Sequence, residues 1–159
     1  MDGTALRREP PRYPDEPSWF YKLDEIVYHM LQHDGHVSIL ALDKMRWQSV
    51  RDFQFAPELQ IRPKGSDVWD MEIDICCIAS GHTQIGEAKS VSSLKSDHKS
   101  PALVATRYRV LAEKLGAAGV IFATSAAAWD TTSNSAIETE FDKNPYLRVI
   151  RLGYGNLMD

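Results

Sequence analysis

Residues 69–89 read WDMEIDICCIASGHTQIGEAK, and the fold turns on how they are paired. Ser80-Gly81 is a turn signal between two apolar runs. As a two-residue loop it closes a hairpin that sets Asp74 opposite Glu87 and Glu72 opposite Lys89. Side chains repeat with period two along a strand. Trp69, Met71, Ile73, Ile75 and Cys77 therefore share one face, and Asp70, Glu72, Asp74, Cys76 and Ile78 the other. On the return strand Ile85, Glu87 and Lys89 lie together. Directly opposed Cβ atoms are about 5 Å apart, and two carboxylates that close repel unless a positive charge sits between them. The pattern predicts a cation site on one face, with Ile73, Ile75 and Cys77 buried beneath helices on the opposite face.

Such a site has the chemistry for cutting a phosphodiester. Magnesium is held by one or two carboxylates together with carbonyl, water and substrate phosphate oxygens. Bound metal acidifies a water and neutralises charge that develops on phosphate. Lys89 points the same way as Glu87, where it can orient or deprotonate that water, or stabilise the pentavalent phosphate. A plainer reading is a set of exposed cross-strand acid–lysine pairs, each worth roughly 0.2–1 kcal/mol. The flanking Ile73, Ile75, Cys76, Cys77 and Ile78 are too apolar for an exposed edge, and ionisable groups in a buried hairpin are costly and tend to mark sites.

An acid on one strand, a short turn, and Glu-x-Lys on the next strand resemble the PD-(D/E)xK nuclease superfamily. Glu87-Ala88-Lys89, followed by Ser90 and thirteen residues after Asp74, is similar to its Holliday-junction-resolvase and Mrr-type branch. The first acid lacks the preceding Pro of the motif's name, since Ile73 stands there. The resemblance in element order runs over roughly residues 18 to 152. It implies a restriction-endonuclease-like α/β core, a mixed sheet flanked by helices in αβββαβ order. It also implies that Asp74, Glu87 and the Ala88 carbonyl bind Mg²⁺ (or Mn²⁺), and that Asp74, Glu87 and Lys89 are the catalytic set. Glu72 is an accessory candidate. Glu25 is the other, by comparison with a first-helix acid that many members carry, although it falls nearly opposite that helix's apolar stripe.

The remaining sequence fits one α/β domain. The 159 residues, 43% hydrophobic, suffice for one sizeable core. Pro10, Pro11, Pro14 and Pro17 among charges mark residues 1–17 as an extended linker or tail, with residues 18–159 as the domain. There is no apolar signal region and no run long enough for a bilayer. Cys76 and Cys77, adjacent in an apolar strand, suit buried thiols in a reducing cytoplasm.

A first helix is expected from Ser18, with Trp19, Leu23, Ile26, Val27, Met30 and Leu31 as its stripe and Asp34-Gly35 as its stop. Residues 38–48 are ambiguous, since Ile39-Leu40-Ala41-Leu42 fits a helix or a strand, and helix is the preferred reading. Phe53, Phe55, Leu59 and Ile61 form a strand interrupted at Ala56-Pro57, before a turn at Pro63-Lys64-Gly65. Ser100-Pro101 opens a helix that Gly116 closes, with Val104, Tyr108, Leu111 and Leu115 toward the core. A buried strand at Gly119–Ser125, a short helix at Ser133–Lys143 and a strand through Leu147, Val149, Ile150 and Leu152 complete the order. His29 and His33, four apart with Asp34 and His36 nearby, can be drawn as a zinc chelate, but without cysteine in reach they read as a solvated flank. Trp69 reads as core, not as a base-stacking platform.

Eighteen basic against twenty-two acidic residues give a net charge of −4, unlike a self-sufficient nucleic-acid-binding domain. Lys95, His98, Lys99, Arg107 and Lys114 form a candidate positive rim beside Lys89; a solvated loop and helix face is the plain alternative. Nucleic acid, DNA rather than RNA, is the expected partner, with a second domain, a second copy of the chain or the metal supplying part of the affinity. The expectation is a Mg²⁺-dependent nuclease module of a defence, restriction or repair system. The alternative is a nuclease-like fold that no longer cuts and serves in binding nucleic acid or protein.

Overall fold

The computed structural model describes residues 7–8, 20–21, 34–56, 58–62, 64–65, 67, 70–95 and 99–158. The chain divides into two units, Met1–His33 and Asp34–Asp159. In the first, β1 (Arg7–Arg8) pairs antiparallel with β2 (Phe20–Tyr21). The expected extended tail therefore holds a short paired segment. Phe20 and Tyr21, where a helix from Ser18 was expected, are in a strand, as suits aromatic residues on a pleated pair. The rest of that helix, with Glu25, His29 and His33, lies outside the described residues, as do Trp69 and His98.

The second unit is an α/β domain built on a mixed five-stranded sheet. Its order is β3 (Phe53–Ala56), β6 (Ile75–Ala79), β7 (His82–Lys89), β8 (Gly119–Thr124) and β9 (Arg148–Leu152). The first three strands run antiparallel, and β7, β8 and β9 run parallel. Parallel neighbours need crossovers. These are α2 (Pro101–Leu115) between β7 and β8, and α3 (Thr131–Phe141) between β8 and β9. The opposite face carries α1 (Gly35–Gln48), and α4 (Tyr154–Met158) follows β9. No described helix is long and apolar enough to cross a membrane.

Spacing explains the faces. Val37, Ala41 and Met45 recur every four residues along α1 and are buried with Ile75, Cys77, Ala88 and Ile121. Asp34-Gly35, expected as a helix stop, opens this helix. Gly and Asp punctuate a chain without stating a direction, and the stripe begining at Val37 decides it. On the other face Val104, Tyr108 and Ala112 of α2 pack with Ile85, Leu94 and Phe122. Ser100 Oγ accepts the Leu103 N–H at 3.3 Å, and Gly116 ends the helix at φ 64°. Leu115 was expected in the core but is exposed, because the buried stripe advances by fours from Val104 through Tyr108 to Ala112. Tyr108, Phe122 and Phe141 meet edge to face, with centroids 5.7 and 5.8 Å apart.

The hairpin that anchors the sheet has the expected register. Ser80 and Gly81 both take left-handed φ, 53° and 81°, as a two-residue turn between twisted strands requires. Ala79 pairs with His82, and the ladder reaches Ile75 opposite Gly86. At Asp74 it breaks. β5 (Met71–Ile73) turns from β7 and pairs instead with β4 (Leu59–Ile61). The break reverses the alternation, so Ile75 and Cys77 lie under α1 as expected while Ile73 is buried on the α2 side. It also corrects one pairing. Glu72 stands opposite Gln60, not Lys89, and accepts from its Nε2 at 3.3 Å.

Candidate functional site

Asp74 occupies the break between β5 and β6, one step beyond the Ile75–Gly86 pair and so level with Glu87. Its N–H donates to the Gly86 carbonyl at 3.1 Å, and its Oδ2 accepts the Ala88 N–H at 2.9 Å. The side chain stands in for a ladder carbonyl that the broken strand no longer supplies. A residue's N–H and C=O leave an extended strand on the same side, so the Ala88 carbonyl also faces the Asp74 edge of β7.

Glu87 and Lys89 follow on one face of β7. Glu87 shares that face with Ile85, which belongs to the core under α2. Its Oε1 lies 2.8 Å from Lys89 Nζ. Its Oε2 lies 2.5 Å from the Tyr108 hydroxyl. That hydroxyl is also 3.0 Å from the Glu72 carbonyl and 3.1 Å from the Gly86 carbonyl. It has one proton to give, and the carboxylate is the strongest of the three acceptors. Tyr108 is fully buried on α2, the crossover between β7 and β8, and so fixes Glu87 from beneath. Gly86 lets β8 come close, since a Cβ there would sit 2.2 Å from the Ile121 carbonyl oxygen.

Charge at the site is strongly perturbed. Burial, then the Glu87 carboxylate, push the Asp74 carboxyl up to about 7 from 3.8; the Ala88 N–H and Lys89 act the other way. Burial opposes the charge on Lys89, but Glu87 outweighs it, with Asp74 and Asp34 adding, and the ammonium is held above its ordinary range. Burial first, then Glu87 and Asp74, raise the Tyr108 phenol well above 10, so it keeps its proton throughout the neutral range.

Two further acids were not anticipated. The β3–β6 and β4–β5 ladders continue one register across the break: Ala56 pairs with Cys76 and Leu59 with Ile73, which sets Glu58 opposite Asp74. Glu58 adds to the upward push on Asp74. Pro57, which has no N–H for the ladder, was the available signal. Asp34, at φ 60° before α1, makes no side-chain cap and its charge reaches Lys89. Among the described residues, no three His, Cys, Asp or Glu side chains stand close enough to form a metal-chelating group. At this level of the sheet, Asp74, Glu87 and the Ala88 carbonyl would offer two carboxylates and one carbonyl, oxygens of the kind taken by a hard ion that keeps waters.

The expected rim is divided. Arg107 Nη2 pairs with Asp70 Oδ1 at 2.8 Å and lines a groove with Lys114. Lys95 instead lies near Asp130, whose carboxylate it helps to stabilise, at the start of α3. Lys99 is half-buried just before α2. Loop residues 91–95 are drawn toward α3 because the Leu94 N–H donates to Ser133 Oγ at 2.9 Å.

Compared with known protein families, with curated proteins and with solved structures, the chain finds no match.

Proposed function

We propose that this domain is a metal-dependent nuclease with a restriction-endonuclease-like core, hydrolysing phosphodiester bonds in DNA as a module of a defence, restriction or repair system. The observation that carries the reading is one level of the sheet. Asp74, at the break before β6, stands level with Glu87 of β7, Lys89 is bonded to Glu87, and burial with the Glu87 charge pushes the Asp74 carboxyl up to about 7. A carboxyl such as that of Asp74, whose charge is disfavoured by burial and by a neighbouring carboxylate, is a donor that a divalent ion satisfies.

Mg²⁺ or Mn²⁺ at Asp74, Glu87 and the Ala88 carbonyl would supply an acidified water and neutralise phosphate charge. The chain's own groups do the rest. Tyr108 holds the Glu87 carboxylate in one orientation. Lys89, protonated at neutral pH, is suited to hold the attacking water or a phosphate oxygen through its N–H groups, not to remove a proton. Glu72, turned toward Gln60, is left outside this set.

A second reading has its own support. Both Glu87 oxygens and one Asp74 oxygen already have protein partners, which suits a fold that keeps the motif and binds without cutting. Incubation with plasmid, linear duplex and single-stranded DNA, and with RNA, in Mg²⁺, Mn²⁺ or EDTA, separates the two. Metal-dependent cleavage lost in Glu87→Gln is expected; nucleic-acid binding without cleavage in any metal favours the second reading.

Tyr108→Phe removes one hydroxyl and keeps the ring packed on Phe122. Groups that orient metal ligands are typically worth 10–100-fold in metal affinity or activity. Titration of this variant with Mn²⁺ is expected to show weaker binding of about that size, with near-unchanged thermal stability. A merely structural hydroxyl would lower stability and leave the metal titration as it was.

A further inference from the structure

Beyond the carboxylates, the β4–β5 hairpin lies against the flank of α2 and leaves a groove of about 420 Å³. Its floor is aliphatic, made by Ile61 and Met71 from the hairpin and Val110 and Leu111 from the helix. Arg62 and Lys114 are exposed at its rim. Arg107 forms a wall, pinned by the Asp70 carboxylate and by a hydrogen bond from its Nη2 to the Asp70 carbonyl. In a chain of net charge −4, three cations against one acid reverse the local sign.

The groove is poor in acceptors. The Thr106 hydroxyl gives its proton to the Ala102 carbonyl at 2.8 Å and keeps only its oxygen as an acceptor, and Asp70 is engaged by Arg107. What the groove offers is N–H donors around an apolar slot. It suits a ligand that is anionic, rich in acceptor oxygens and flat on an apolar face. A duplex is too wide for a slot of this volume, whereas an unpaired nucleotide places phosphate at the rim and its base on the floor.

Position supports the same occupant. Arg107 adjoins Tyr108, which holds Glu87. Met71 is three residues before Asp74, a distance along the strand of about 10 Å, on the order of one or two nucleotides of extended chain. We infer that the groove between β4–β5 and α2 binds an unpaired nucleotide of a single-stranded nucleic acid, next to the phosphate presented to Asp74 and Glu87. The inference rests on the nuclease reading for where the cut phosphate lies, not for binding itself.

The test is fluorescence anisotropy of the full chain in EDTA with labelled oligothymidylate, its abasic counterpart and a duplex of equal length. Oligothymidylate is expected to bind about tenfold tighter than the abasic strand, because the latter has no base to bury against the aliphatic floor. Arg62→Glu with Lys114→Glu should weaken binding and flatten its salt dependence by roughly one phosphate contact per residue. Both positions are exposed, so the variant should fold, and circular dichroism checks that it does. Equal affinity for normal and abasic strands, preference for the duplex, displacement by polyglutamate as effective as by oligothymidylate, or an unaffected double variant would each overturn the proposal. Binding in EDTA without cleavage in Mg²⁺ would retain the groove and remove the nuclease. Cleavage of single strands with a KM unchanged in the double variant would do the reverse.

Discussion

Lys89→Met is expected to lower metal-dependent cleavage by about 10²–10⁴-fold, the usual range for a group acting on the proton or charge of the reacting centre. Methionine keeps the length of the half-buried stem, so the change removes chiefly the ammonium. Glu87 then loses its 2.8 Å partner while keeping Tyr108. Lys89 and a divalent ion compete for the same carboxylate charge, so the variant is expected to bind Mn²⁺ at least as tightly as the native protein. Loss of rate with retained or tighter metal binding is what a catalytic lysine produces. A merely structural ion pair behaves differently: stability falls, cleavage per folded molecule does not, and the metal titration stays where it was. Single-turnover cleavage on protein shown to be folded distinguishes the two. A Lys89→Met protein cutting at the native rate leaves Lys89 only as the partner of Glu87.

The reading of the hairpin succeeded where local geometry leaves no slack. A two-residue turn admits one register, and Ser80-Gly81 therefore set Asp74 level with Glu87. The pairing of Glu72 with Lys89 failed because it assumed an unbroken strand. The strand breaks at Asp74, and β5 is claimed by β4 across a loop from Arg62 to Asp70. A loop of that length does not fix a register, so the placement of Glu58 opposite Asp74 was not legible, although Pro57 showed that the strand was interrupted. Tyr108 was legible as core. That its hydroxyl ends on Glu87 depends on the β7–α2–β8 crossover, and no local pattern carries that information. The basic rim is divided for a related reason. Lys95 lies close in sequence to Lys89, but Ser133 of α3 holds the preceding residue, Leu94, through its N–H.

Asp74→Asn is expected to raise stability at pH 8 in the absence of metal and to abolish the stabilisation that metal gives. The sign follows from the raised carboxyl. Asp74 holds its proton more tightly folded than unfolded, so its contribution is intact below about pH 4 and is lost as pH rises through about 7. At 1.36 kcal/mol per pH unit, the loss across that window is on the order of 4 kcal/mol at most. Asparagine cannot ionise, yet its carbonyl can still accept the Ala88 N–H that Asp74 Oδ2 accepts. Native and variant proteins should therefore have similar stability near pH 4 and diverge in the variant's favour by pH 8. Metal narrows that gap. Binding removes the residual proton, so native affinity should climb with pH to about 7 and then level. A site filled at 100 times its Kd adds about 2.7 kcal/mol to the native protein and little to the variant. Urea unfolding at pH 4, 6 and 8, with EDTA and with Mg²⁺ or Mn²⁺, measures all of this. If Asp74→Asn is the less stable protein at pH 8 and metal shifts neither midpoint, Asp74 is the hydrogen-bond acceptor of a broken strand and not a ligand.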